Sequence, residues 1–93
     1  MSGVRTSIYW MRTADTGPEW VGVENDFVAY DGETQIGRVH NHAAGADAGL
    51  WLWSMTLVLP GPPFVYRSGR EEKRGDAARR VVEAYERMMA RQP

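Results

Sequence analysis

Residues 50–59, LWLWSMTLVL, constrain the fold more than any other stretch of this chain. Only Ser54 and Thr56 interrupt the apolar run, and Pro60, Pro62 and Pro63 follow it directly. The run is about half the length needed to cross a bilayer. Prolines cannot donate into a sheet ladder, so they set its end. The run therefore reads as a strand. Alternation places Trp51, Trp53, Met55 and Leu57 on one face and Leu50, Leu52, Ser54, Thr56 and Val58 on the other. Apolar residues on both faces are expected of a central strand.

The segments before it supply sheet neighbours. Phe27–Tyr30 is strand-like, Asp31-Gly32 is a reverse-turn signal, and Gln35–His40 is the return strand. Gly37 inside that return strand predicts a bulge, or a place where a large neighbouring side chain lies across the backbone. Residues 1–19 are either a short edge strand or a tethered arm, with Gly17-Pro18 as a loop signal. Residues 64–67 either add a short edge strand or lie extended.

The last element is a helix over about residues 72–90. Ala78, Val81, Val82, Tyr85, Met88 and Met89 recur with a helical period. Ser68 and Glu71 have the spacing of a capping box. Glu83 and Arg87 stand four apart in the favourable order for an ion pair. Ninety-three residues suit one domain. The expected architecture is α+β: a three-stranded or four-stranded antiparallel sheet packed on one C-terminal helix, β-β-β-α, over residues 1–93. The Trp51–Trp53–Met55–Leu57 face is the larger, and is expected to meet the helix.

The succession FVAYDGETQIGRVH, GLWLWSMTLVLPGPP, Gly69 and a helix opening at Ala77-Ala78 resembles a family of small uncharacterised bacterial proteins, mainly alphaproteobacterial. The resemblance covers about residues 27–90 and implies a β-β-β-α unit. That family has no assigned activity, so no catalytic residue is implied. The charged REEKRGDAARR differs from the Ser/Thr-rich helix opening of the family. The same element layout is similar to that of the arm-type DNA-binding domains of phage-like integrases, an analogy of fold alone.

Composition narrows the chemistry. The chain has no cysteine, which removes disulfides, thiolate zinc sites and a Cys nucleophile. His40, His42 and Asp47 form the nearest approach to a metal set, but a third firm ligand is lacking and no metal is expected. Ser54 has no nucleophile-elbow glycines around it, and the carboxylates form no facing pair. No catalytic residue, enzyme activity or cofactor is expected. Residues 1–8 show no apolar targeting core, and a cytoplasmic protein without a membrane segment is expected.

Two binding readings remain. A single helix covers one sheet face, so Leu50, Leu52 and Val58 form a candidate interaction face for a homodimer or another protein partner. The competing expectation is that the N-terminal segment, with Ile8 to Met11, folds back over that face. Charge supports the second reading. Residues 1–66 carry three basic against seven acidic side chains, and residues 67–93 carry eight against five. Arg67, Arg70, Lys73 and Arg74, beside Phe64 and Tyr66, form a candidate nucleic-acid contact. The net charge of −1 argues against a dedicated nucleic-acid binder.

Overall fold

A computed structural model describes residues 7–20, 24–41, 49–58 and 67–90. Among the described residues five strands form one antiparallel sheet: β1 (Ile8–Arg12), β2 (Asp26–Asp31), β3 (Thr34–Asn41), β4 (Trp51–Met55) and β5 (Ser68–Glu71). They lie side by side in chain order. One helix, α1 (Arg74–Ala90), follows. Two short 3-10 turns, Thr13–Asp15 and Pro18–Trp20, follow β1. No helix among the described residues is long and apolar enough to cross a membrane.

The α+β expectation holds, with five strands rather than three or four. The described strand of the N-terminal segment, Ile8 to Arg12, does not fold over the sheet. It pairs in register with β2, Tyr9 opposite Tyr30 and Trp10 opposite Ala29, and becomes the edge strand β1. Ser68 to Glu71, expected to cap the helix, form the other edge strand β5 instead. Glu71 spends its carboxylate on Arg80, 3.0 Å away, and the helix begins at Arg74.

The β2–β3 hairpin forms where the Asp-Gly signal placed it. Gly32 opens the two-residue loop with φ 63°, a value that a side chain would make costly and that suits a type II′ turn. The bulge expected around Gly37 is also present. Ala29 pairs with Gly37 while Tyr30 pairs with Gln35, so Ile36 is the extra residue. Ile36 is wholly buried.

β4 is shorter than the apolar run. It ends at Met55, and Thr56–Val58 continue without strand pairing. The backbone N–H of Thr56 donates to the carbonyl of Ile36 (2.9 Å), and that of Met55 to the carbonyl of Arg67 (2.7 Å). Pro60, Pro62 and Pro63 lie outside the described residues.

Trp53 and Met55 are buried on the helix side, with Trp51 and Leu57 packed around them, as alternation predicted. Helix α1 lies across β3, β4 and β5. At its first residue, and again at Tyr85, it reaches β2. The Arg74 guanidinium stands 4.9 Å over the Phe27 ring, and the Tyr85 hydroxyl donates to the Asp31 carboxylate. The buried helix residues are Ala77, Val81, Ala84, Tyr85 and Met88. The stripe is therefore rotated from the expected one. Ala78 and Val82 are only half-buried, and Met89 is exposed. Alanines at 77 and 84 turn inward because the helix approaches too closely for larger residues. The expected Glu83–Arg87 pair does not form. Glu83 faces Arg79 and Arg80 instead, at 3.8 and 3.9 Å.

Gly37 allows that approach, and Gly69 allows a second close contact within the sheet. A Cβ at Gly37 would collide with the Val81 side chain and stand 2.8 Å from the Ser54 carbonyl oxygen. A Cβ at Gly69 would stand 2.8 Å from the Trp53 indole Nε1. The neighbour over Gly37 is thus a helix valine, and the tryptophan lies over Gly69 on the opposite side of β4.

Trp53→Ala should lower unfolding free energy by about 3–5 kcal/mol, because it leaves a cavity against Gly69. Gly37→Ala should cost about 1–3 kcal/mol by overpacking, and part of that loss should return in the Gly37→Ala/Val81→Ala double variant. Urea unfolding checks both. A loss below about 1 kcal/mol for Trp53→Ala would place Trp53 outside the core.

Candidate functional site

The second sheet face, opposite α1, is built by residues that alternate with the core. β1 gives Tyr9 and Met11, β2 gives Asp26, Val28 and Tyr30, and β3 gives Arg38 and His40. β4 and β5 give Leu52, Ser54, Ser68 and Arg70. Among the described residues no second α-helix or sheet covers this face, but the 3-10 turn Thr13–Asp15 packs at one end of it, and Asp26 and Val28 are buried there. Its composition is more polar than Leu50, Leu52 and Val58 alone suggest.

Leu50 and Leu52 are half-buried. Leu52 stands between His40 of β3 and Arg70 of β5. Val58 is 72% exposed and lies beyond the end of β4, so it does not extend the sheet surface. The alternation that placed it there holds only while the strand lasts. At the β1 edge, Tyr9 and Tyr30 stack across the strand pair, with ring centroids 5.5 Å apart and planes 19° apart.

The centre of the face is an ion pair. Asp26 is only 5% exposed. Arg38 Nε donates to its Oδ1 at 2.9 Å, and Arg38 Nη2 donates to Oδ2. The Thr13 hydroxyl donates to the same Oδ1 at 2.7 Å, which ties the first 3-10 turn to β2. Burial by itself would raise the Asp26 pKa. The hydrogen bonds from Arg38 and Thr13, with the charges of Arg38 and His40, outweigh it and hold the carboxyl below its usual range. Asp26 also raises the Arg38 pKa, chiefly through their hydrogen bonds.

The four basic residues expected to act together separate. The Arg67 guanidinium donates to the carbonyls of Met55 (3.2 Å) and Leu57 (3.0 Å), where it holds the chain leaving β4. Arg70 lies on the second face, opposite Leu52. Lys73 is exposed just before α1, and Arg74 stacks over Phe27 on the helix side. Tyr66 and Phe64 lie outside the described residues, as do His42 and Asp47 of the metal set. No group of three His, Cys, Asp or Glu side chains arranged for a metal occurs among the described residues.

One further concavity, of several, is on the helix side. Because α1 lies over β3–β5, a cleft of about 350 Å³ opens between its first turn and β1–β2. Buried Val39 forms its floor, with half-buried Trp10, Phe27 and Ala78 around it. Exposed Arg12 and Arg74 stand at its mouth. Neither this cleft nor the Asp26–Arg38 pair stood out in the sequence. A signal for the pair existed: Asp26 is in phase with Val28 and Tyr30, and an acid in phase with strand residues that become buried needs a cation.

Comparison of the chain with protein-family models, with curated proteins and with solved structures found no match.

Asp26 predicts an acid sensitivity. Its folded pKa lies below its unfolded value, so its contribution is present at neutral pH. That contribution should be lost as pH falls below about 4 and through the folded pKa. Asp26→Asn should be less stable at pH 7 and should show a smaller stability change between pH 7 and pH 3. Urea unfolding at both pH values measures this, and an unchanged pH dependence would remove Asp26 from the account.

Proposed function

We propose that this chain is a non-enzymatic protein-interaction module that associates with a second copy of itself through the sheet face opposite α1. The observation that carries this reading is the one-sided packing. Helix α1 covers one face; on the other, among the described residues, the 3-10 turn Thr13–Asp15 packs at the Asp26 end of β2, and no second α-helix or sheet covers Tyr9, Arg38, Leu52 and Arg70. Tyr9, Tyr30, Met11 and Arg38 on that face are of types enriched in protein contacts, and Leu52 adds apolar area beside them. The Asp26–Arg38 pair supports the reading too, since it places a guanidinium, 43% exposed, at the centre of the face without a buried unpaired charge. A mixed polar and apolar surface of this kind matches partners that also exist apart.

The nucleic-acid reading uses Arg67, Arg70, Lys73 and Arg74. It has less support, because Arg67 binds backbone carbonyls while Arg70 and Arg74 belong to opposite sides of the sheet. Residence in the cytoplasm is part of the proposal, and a chain without disulfides is compatible with it. Membership of the family that residues 27–90 resemble is part of the proposal too, and adds no activity.

Sedimentation equilibrium across roughly 10–300 μM tests the association. The expected result is a concentration-dependent dimer that Leu52→Lys, set between His40 and Arg70, returns to monomer. Monomer at every concentration would overturn self-association, and a dimer unaffected by Leu52→Lys would move the contact off this face.

A further inference from the structure

The cleft between β1–β2 and the first turn of α1 carries an electrostatic imbalance. Arg12 at its mouth is neutralised by Asp15, with Nε–Oδ2 at 2.9 Å and Nη2–Oδ1 at 3.1 Å. Arg74 has no ion-pair partner among the described residues. It is also the first residue of a 17-residue helix, where the dipole favours acids and disfavours cations. The acid of that first turn, Asp76, is taken by Arg79 at 3.1 Å. Arg74 is held there by stacking on Phe27, which leaves the edge of its guanidinium without a protein anion. The guanidinium is exposed, so its free edge is open to an anion that enters the cleft from solvent.

The walls indicate the rest of the ligand. Trp10 and Phe27 offer aromatic surface over a floor of Val39, and Ala78 leaves the helix side open. Gly75 has no side chain, and a Cβ there would meet nothing within 4 Å, so the cleft wall is open at that position. The N–H groups of Arg74, Gly75 and Asp76 precede the first intrahelical bond, which runs from Ala77 to Lys73. A volume of about 350 Å³ accepts a one- or two-ring molecule.

We propose that this cleft binds a small planar aromatic carboxylate. Its ring stacks on Trp10, and its single negative charge pairs with the Arg74 guanidinium beside the helix N-terminus. One charge suffices because Arg12 is already balanced by Asp15. This site is independent of the open sheet face.

Residue-assigned ¹H–¹⁵N spectra of the full chain test it, titrated with benzoate, 2-naphthoate and indole-3-acetate, each against its neutral amide, up to about 10 mM. The expected result is a saturable shift at the Gly75 amide and the Trp10 indole for at least one acid. That acid should bind about tenfold or more tightly than its amide. Arg74→Gln should abolish the preference, and Ala78→Leu should block binding of acid and amide alike. Arg74 is exposed, so Arg74→Gln should keep the wild-type spectrum elsewhere. Three results would overturn the proposal: no saturable shift with any acid, shifts that map away from the cleft, or equal affinity for acid and amide. Undiminished acid preference in Arg74→Gln would overturn it as well.

Discussion

The close approach of α1 to β3 at Gly37 is the contact on which the rest depends. Val81 occupies the space where a β3 side chain would stand. That approach turns Ala77 and Ala84 inward and leaves a thin core in which Ile36, Val39, Met55 and Val81 are almost wholly buried. In a chain this short the surface-to-volume ratio is unfavourable, and close contact between layers recovers dispersion energy that bulk cannot supply. The bulge at Ile36 belongs to the same solution. It lets Ile36 and Gly37 fall consecutively into the core, which an unbroken alternation forbids.

On the far side of β4 the same device recurs with the roles exchanged. There the glycine is Gly69 of the edge strand, and the large group is the Trp53 indole. A tryptophan lying across a strand glycine shields the backbone of an otherwise weak, four-residue edge. Trp53 thus contributes both to the core and to the sheet edge. The Arg67 guanidinium, by binding the Met55 and Leu57 carbonyls, holds the chain where β4 ends and β5 is about to begin.

The helix sits off centre, and both candidate surfaces follow from that placement. Covering β3–β5 leaves the helix side of β1–β2 as a cleft framed by Trp10 and Phe27. Covering one face leaves the other to the pair of buried Asp26 with half-exposed Arg38 and a rim of tyrosine, methionine and leucine. The pair costs desolvation, and Thr13 compensates by satisfying the carboxylate further and by fixing the turn after β1. The two surfaces point in opposite directions and differ in chemistry, one concave and cationic, the other broad and mixed.

The sequence by itself determined the elements whose signals are local. The Asp31-Gly32 turn, the β2–β3 hairpin, the inward face of Trp51, Trp53 and Met55, and the existence of the C-terminal helix all follow from turn chemistry and periodicity within ten or so residues. Only the tertiary structure decided the rest. Ser68 to Glu71 carry a capping-box spacing, yet they form β5 because Gly69 fits beneath Trp53 and Glu71 reaches Arg80. Ile8 to Arg12 become an edge strand because β2 offers them a free edge, which no local pattern encodes. The basic residues of 67–74 look like one patch along the chain. They separate in space because a strand and then a helix lie between them, and each element assigns its side chains to its own face. Burial depends on how near a distant element comes, and that distance is set by packing across the whole core.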